Sequence, residues 1–309
     1  MKPTVVITAP VHPYLPKQLT SKGYKVKYMP EITAADLLII IPKVTGLVVT
    51  TRIKIDDTML LAATNLKWIG RLGSGMELID TDLAKRKKIK LISTPEGNCN
   101  AVAEHVLGLM LVLSNNLAKA FNEVKNYQWL RNENRGTELR GKVVGIIGYG
   151  HTGKAVAKVL QGFGVTILAH DKYKKVSENA TVKVATVAQI QQQAHIISLH
   201  LPLTAETNHY ANDVFFRKLK KQPILINASR GQVVDTNSLI NALKQKQIVA
   251  AGLDVIENEK LSTYNKTEKQ QLEWLCLQPN VIITPHIAGY SHESLLLMAQ
   301  ILIKKLGLS

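Results

Sequence analysis

In 309 residues the chain has only two cysteines, Cys99 and Cys276. They cannot make a disulfide framework, so reduced thiols and a cytoplasmic setting are expected. Aromatic residues are scarce, at 5%. No stretch reaches the roughly 18 uncharged apolar residues that suggest a membrane span. The most apolar helical run, AVAEHVLGLMLVLSNNL, carries Glu104 and His105 and is cut off by Ser114, Asn115 and Asn116. The opening MKPTVVITAP enters a strand-like run directly, with no secretory signal pattern. Low-complexity segments and short-period repeats are missing too. These absences set aside disulfide scaffolds, membrane spans and solenoids.

Acidic residues are outnumbered: 23 Asp and Glu face 39 Lys and Arg, a net charge of +16. The basic clusters KRKKIK (85–90) and RKLKKQ (217–222) come with neither a recognition motif nor interleaved aromatics. They read as solvated helix faces, and no nucleic-acid or membrane partner is expected. The overall field still attracts small anionic ligands.

With 46% hydrophobic residues, the chain can fill two cores of ordinary size. Strand-like runs alternate with helical patterns: TVVIT, KVKYM, GLVVT, LKWIG and KLIST, then from residue 143 VVGIIG, VTILAH, HIISLHL, PILINA, VAAGLDV and NVIITPH. Such alternation predicts parallel sheets covered by helices, and two series predict two α/β domains. The long loop after residue 256 should hold one helix, TEKQQLEWLCL. The run from Ala101 is apolar nearly all round, so burial between domains or against a partner subunit is expected.

Gly148, Gly150 and Gly153 form a GxGxxG that follows an apolar strand and opens a helix. A second strand ends at Asp171, 18 residues after Gly153. That is the complete dinucleotide-binding unit. Gly148 serves the tight turn, Gly150 the approach of the pyrophosphate, and Gly153 helix–strand packing. The helix N-terminus offers amides and positive dipole to phosphates. Asp171 bonds ribose hydroxyls and repels a 2′-phosphate, which favours NAD over NADP. Lys172 and Lys174 lie close enough to soften that choice.

PILINASRGQVVD (223–235) places Arg230 just past a buried strand, a poor position for core packing. Glu259 and His286 follow the next two strands. In a parallel sheet, strand C-termini share the edge where ligands bind. Taken singly, each has a plain reading: a strand cap, an exposed loop residue, a hydrogen-bonded core histidine. Together beside a nicotinamide they suit hydride chemistry on a 2-oxo acid. Arginine clamps a carboxylate, histidine exchanges a proton with the carbonyl or hydroxyl oxygen, and a neighbouring carboxylate stabilises an imidazolium.

GKVVGIIGYGHTGKAVAKVLQGFG, INASRGQVVDTNSLINALKQKQIVAAGLDVIENE and TPHIAG resemble the three long motifs of the D-isomer-specific 2-hydroxyacid dehydrogenases. The likeness runs nearly end to end. It implies two Rossmann-like/flavodoxin-like parallel-sheet domains with an active-site cleft between them: 1–97 with 290–309 for substrate, and 98–289 for NAD. It implies Arg230, Glu259 and His286 as the catalytic trio. It implies cofactor contacts from His151 and Thr152 in the glycine loop, from His200, Pro202 and Thr207, from Ala228, and from Asp254 on the nicotinamide carboxamide. The family's homodimer would use the apolar helix after Asn100. Two departures stand out: Lys260 replaces the usual proline after Glu259, and His151 replaces an arginine, removing one phosphate contact.

GRLGSGMELID (70–80), STPEGNCNAVAEH and YQWLRNENRGTELRGK are most similar to the D-3-phosphoglycerate dehydrogenase branch. There Arg71 and Arg131 would reach the substrate phosphate, and the amides at Ser74 and Gly75 would meet the substrate carboxylate held by Arg230. An arginine usual near residue 50 is Thr50 here, with Arg52 close by. The chain ends one helix after TPHIAG, so feedback control through a C-terminal regulatory domain is not expected. The expected function is an NAD-dependent dehydrogenase of a small anionic D-2-hydroxy or 2-oxo acid, with 3-phosphoglycerate leading. The alternatives are a glyoxylate/hydroxypyruvate or D-lactate-type reductase and, from another class, a dinucleotide-sensing co-repressor-like binding protein.

Overall fold

The computed structural model describes residues 2–308. The chain forms two compact units, residues 1–99 with 289–309, and residues 100–288. The first unit begins with five strands, β1 (Thr4–Ile7), β2 (Lys25–Tyr28), β3 (Gly46–Val49), β4 (Trp68–Arg71) and β5 (Lys90–Ser93). Between them run α1 (Tyr14–Ser21), α2 (Ala34–Ile40), α3 (Asp57–Ala62) and α4 (Thr81–Arg86). The sheet is parallel in the order β2-β1-β3-β4-β5, the flavodoxin-like arrangement. Asp56 and Asp80 cap α3 and α4 by accepting from Met59 and Leu83 amides, so these short helices begin where local chemistry starts them.

The second unit opens with α5 (Cys99–Ser114) and α6 (Leu117–Lys125). The break between them falls at Asn116, whose φ of 54° is left-handed and ends the first helix. Then come β6 (Val143–Ile147), α7 (His151–Leu160), β7 (Thr166–His170), β8 (Val182–Val184), α8 (Val187–Gln193), β9 (Ile196–Leu199), α9 (Asp213–Arg217), β10 (Ile224–Asn227), α10 (Thr236–Lys244), β11 (Ala250–Leu253), α11 (Lys266–Leu277) and β12 (Val281–Ile283). The chain then re-enters the first unit as α12 (His292–Lys305). The seven strands are parallel in the order β12-β11-β10-β9-β6-β7-β8. One edge strand, β8, has no counterpart among the predicted ones. It is three residues long with Lys183 and Val184 exposed, too short and polar to register as a buried run.

Both sheets are covered on two faces, which is why their central strands read as unbroken apolar runs. In β6, Val144 and Ile146 join α5 and α7 in one core, while Ile147 joins α8–α11 in the other. In the first unit, α2–α4 cover one face and α1 with α12 the other. Each fully buried Leu or Ile in these layers contributes about 1.5–3 kcal/mol.

One face of α5 is buried by its own unit. Val102, Ala103, Val106, Leu109, Met110 and Leu113 pack into the second unit's own core. Ala101, Leu107, Leu111 and Val112 around the rest of the helix are half-buried. The exposed apolar surface lies beyond it, at Leu117, Phe121, Val124, Tyr127 and Trp129. Cys99 and Cys276 form no disulfide. Among the described residues no single helix is long and apolar enough to cross a membrane.

Candidate active site

Strand order in the second unit reverses between β6 and β9, and a ligand crevice is expected outside the C-terminal ends of that pair. The glycine loop leaves β6 there. Gly148 has φ +95°, and a Cβ on it would lie 2.2 Å from the His200 carbonyl oxygen at the end of β9. Only glycine allows that turn and that approach. Gly153 packs its backbone against the Gly148 carbonyl, where a Cβ would come within 2.1 Å.

A Cβ on Gly150 would instead meet nothing closer than the Lys174 ammonium at 3.5 Å, so the space over this residue is open. Gly150 is the N-cap of α7, and no side chain caps the helix. Its first amides are thus available to an anion. The loop, open at Gly150 and amide-rich at His151, Thr152 and Gly153, fits a dinucleotide pyrophosphate.

Asp171 ends this unit in a double role. Its Oδ2 accepts from the Tyr149 amide at 2.7 Å, and its Oδ1 from Tyr173 and Lys174 amides at 2.9 and 2.8 Å. Burial pushes its pKa up, but the amides of Tyr173, Tyr149 and Lys174 and the Lys174 charge outweigh that and hold it below the usual carboxylate value. It therefore stays ionised where ribose hydroxyls would lie, while bracing the glycine loop.

His200 is buried, with Nε2 on Ser198 Oγ at 2.8 Å and, among the described residues, no partner at Nδ1. Burial lowers its pKa to about 4, so the ring is neutral. Thr207 Oγ1 donates to the Pro202 carbonyl at 2.6 Å and accepts from the Thr204 amide at 2.8 Å, closing the turn after β9. Glu206 in that turn meets Lys172 at 2.8 Å and the Tyr173 hydroxyl at 2.7 Å. The loops after β7 and β9 are thereby tied together.

The three ionisable residues follow neighbouring strands. Asn227 on β10 pairs with Leu253 on β11, and Leu253 with Ile283 on β12. Arg230, Glu259 and His286 thus leave the same sheet edge as the glycine loop. Arg230 is half-buried, and its turn is built by Asn227. The Asn227 amide donates to the Arg230 carbonyl at 2.9 Å, and its Oδ1 accepts from the Ser229 amide and hydroxyl at 3.1 and 2.8 Å. Arg230 Nη1 donates to the Ser229 carbonyl at 2.6 Å. Ala228, partly buried, lies in the same turn.

His286 Nδ1 lies 2.9 Å from Glu259 Oε2. The histidine has φ +56°, a left-handed conformation that costs a non-glycine residue energy. The strain is held by hydrogen bonds. Its amide donates to the Asp254 carbonyl at 2.8 Å. The Asp254 carboxylate accepts from Thr284 Oγ1 at 2.6 Å and from Ile287 and Ala288 amides at 2.9 and 2.8 Å. Thr284 Oγ1 also meets His105 Nε2 at 3.0 Å.

Asp254 is consequently 1% exposed. Its carboxylate accepts within the turn that carries His286, whose amides would otherwise be buried without acceptors. His105 was not singled out by sequence reasoning. A charged-type residue inside an apolar helix was the available signal. Asn227, likewise, looked like the end of a strand.

In the first unit, Arg71 at the end of β4 is 8% exposed. It donates from Nη1 to the Leu72 carbonyl and lies against Gly73, where a Cβ would be 1.6 Å from Nη1. Gly73 in turn bonds Thr94 Oγ1 through its amide at 2.9 Å. Ser74 is exposed and Gly75 half-buried in the bend that follows. Arg52 donates to the carbonyls of Thr8 and Ile32. Arg131 is an exposed residue of the loop after α6.

Residues 107–288 match the family described as D-isomer specific 2-hydroxyacid dehydrogenase, NAD binding domain. A D-3-phosphoglycerate dehydrogenase of Archaeoglobus fulgidus is 33% identical over 96% of this chain and 55% of its own length. The chain thus spans about half of that relative. A hydroxypyruvate reductase of Thermotoga maritima is 36% identical over 84% of this chain and 82% of its own. Among solved structures, a D-lactate dehydrogenase from Aquifex aeolicus complexed with NAD and lactic acid is 26% identical with a TM-score of 0.85, over 98% of this chain and 94% of that one.

Proposed function

The chain belongs to the D-isomer-specific 2-hydroxyacid dehydrogenase family, and from that premise we propose that it is an NAD-dependent oxidoreductase interconverting a D-2-hydroxy acid and its 2-oxo acid. The observation that carries this reading is the Nδ1–Oε2 contact of 2.9 Å between His286 and Glu259, on the sheet edge that also bears Arg230 and the glycine loop. A dinucleotide bound there would supply hydride in one direction and accept it in the other. The glycine loop and α7 amides would hold its phosphates, and Asp171 would receive its ribose hydroxyls.

Arg230 clamps the carboxylate of the acid with its planar fork. Glu259 accepts at Nδ1 of His286, which leaves Nε2 to face the substrate oxygen. In reduction Nε2 gives its proton to the oxygen of the forming alcohol, and in oxidation it takes that proton back. The negative Glu259 offsets the charge of the imidazolium between turnovers.

Two substrates are supported by particular observations. Sequence likeness across the chain supports 3-phosphohydroxypyruvate, the oxo partner of 3-phosphoglycerate. The burial of Arg71 against Gly73 and the solvation of Arg131 support a short unphosphorylated acid such as hydroxypyruvate or glyoxylate. The test is NADH oxidation with 3-phosphohydroxypyruvate, hydroxypyruvate, glyoxylate, pyruvate and 2-oxoglutarate, in the parent and in Arg71→Ala and Arg131→Ala. A phosphate-reading arginine lowers kcat/KM for the phosphorylated acid alone, by roughly 1.5–3 kcal/mol. An unchanged ratio of the two hydroxypyruvates in all three proteins selects the short acid. No turnover with any acid refutes the dehydrogenase reading and leaves a dinucleotide-sensing binding protein. We also place the chain in a homodimer, built on the exposed apolar surface of α6 and the loop to Leu130.

A further inference from the structure

The Glu259–His286 pair lies at the surface: the two side chains are 44% and 37% exposed. The Glu259 loop is braced from the side of Arg230. The holding is done one turn earlier. Gly231, next to Arg230, lies so close to the loop after β11 that a Cβ on it would be 1.8 Å from the Ile256 carbonyl oxygen. Gln232 Nε2 donates to the Glu257 carbonyl at 2.7 Å. The Glu257 side chain then crosses back. Its Oε2 accepts from the Thr236 amide at 2.9 Å and from the Thr236 hydroxyl, and its Oε1 meets His209 Nε2. His209, itself left-handed at φ +51°, donates its amide to the Gln232 carbonyl at 2.7 Å. On the far side, the Tyr264 hydroxyl donates to the Asn258 carbonyl at 2.7 Å, and Asn258 Nδ2 to Glu268 at 2.9 Å.

Three separate segments meet at one carboxylate: the start of α10 at Thr236, which follows the Arg230 turn, the loop carrying Glu259, and the turn at His209. We propose that Glu257 is a positioning residue that sets the spacing between Arg230 and the Glu259–His286 pair. The inference rests on the dehydrogenase reading and deepens it. Arg230 orients the acid, and His286 must then find the substrate oxygen; a displacement of about 1 Å between such groups costs up to about 100-fold in rate. His209, Asp235 and Glu257 also have the composition of a metal site. Their atoms are already engaged with one another and with Thr236, and Asp235 Oδ1 caps α10 through the Ser238 amide at 2.7 Å. The arrangement is that of a brace.

The test compares Glu257→Ala, Glu257→Gln and Thr236→Val with the parent by four measurements: kcat and KM for the oxo acid, NADH affinity by fluorescence quenching, and unfolding temperature. Glu257→Ala should lower kcat/KM for the oxo acid by about 10- to 100-fold, with NADH affinity unchanged within about twofold. Glu257→Gln keeps an oxygen acceptor for Thr236 and a polar atom for His209, so it should recover most of the loss. Thr236→Val, which removes one hydroxyl at constant shape, should show a smaller loss of the same kind and serves if Glu257→Ala does not fold. Unchanged oxo-acid kinetics in an active Glu257→Ala or Thr236→Val protein overturns the inference and leaves the dehydrogenase reading intact. So does a loss shared equally by NADH affinity and unfolding temperature, which is the mark of a general loss of structure. A parent without turnover on any oxo acid refutes the dehydrogenase reading, and this inference with it.

Discussion

Arg230 illustrates how a single residue is placed by its neighbours. Asn227, at the end of β10, bonds both sides of the Ser229–Arg230 turn and so fixes the backbone that carries the guanidinium. A lysine at this position has no planar fork. Arg230→Lys should therefore raise KM for the oxo acid and cut kcat/KM by about 10- to 100-fold, as expected for losing one charge-assisted pair. Steady-state kinetics would expose a parent-like value and remove the clamp assignment.

Asp171 has two tasks, and two variants separate them. Asp171→Asn keeps an oxygen for amides but loses the charge that repels a 2′-phosphate. It should narrow a preference for NADH over NADPH of roughly 1–3 kcal/mol. Asp171→Ala should in addition weaken NADH itself, because the Tyr149 amide of the glycine loop loses its acceptor. Fluorescence titration with both cofactors checks this. Equal affinity of the parent for both would contradict the role given to Asp171 and point to Lys172 or Lys174.

At the scale of elements, the end of β9 carries an imidazole that has to stay neutral. The pKa of His200 is about 4 in the folded chain against an ordinary 6.5. An unfolded chain therefore binds the proton first as pH falls. The stability linked to His200 is complete above about pH 6.5 and is lost as pH drops toward 4, a change of about 3 kcal/mol. Denaturant unfolding at pH 7 and pH 4.5 should show a smaller pH penalty in His200→Gln than in the parent. Identical penalties would mean that the ring is hydrated or partnered in solution. The turn after β12 is organised by the same logic of buried polar groups: Asp254 accepts the amides that the left-handed His286 leaves inside.

At the scale of the whole molecule, the apolar residues left on the outside carry the expectation. Phe121, Tyr127 and Trp129 are 69%, 101% and 78% exposed. Large aromatics grouped on one short segment mark an interaction surface. Sedimentation should find a dimer in the parent and a monomer in a Phe121→Asp, Trp129→Ser double variant. A parent that sediments as a monomer excludes the dimer.

Much of this protein was legible in its sequence. Strand periodicity and the glycine spacing determined two parallel α/β units and a dinucleotide loop, because turn geometry and burial on both faces act over a few residues. The order of Arg230, Glu259 and His286 on successive strands was legible for the same reason: parallel strands put their ends on one edge. What only the tertiary structure decided were the contacts between segments distant in the chain. The apolar α5 serves its own unit's core, because the sheet that needs covering forms from residues far beyond it. Asp254 turns inward to amides that exist only once the 284–288 turn has folded. Glu257 looks like one more loop acid until Thr236 and His209 arrive from separate elements. Local periodicity carries no record of such meetings, since hydrogen bonds across loops depend on where the sheet brings their ends together.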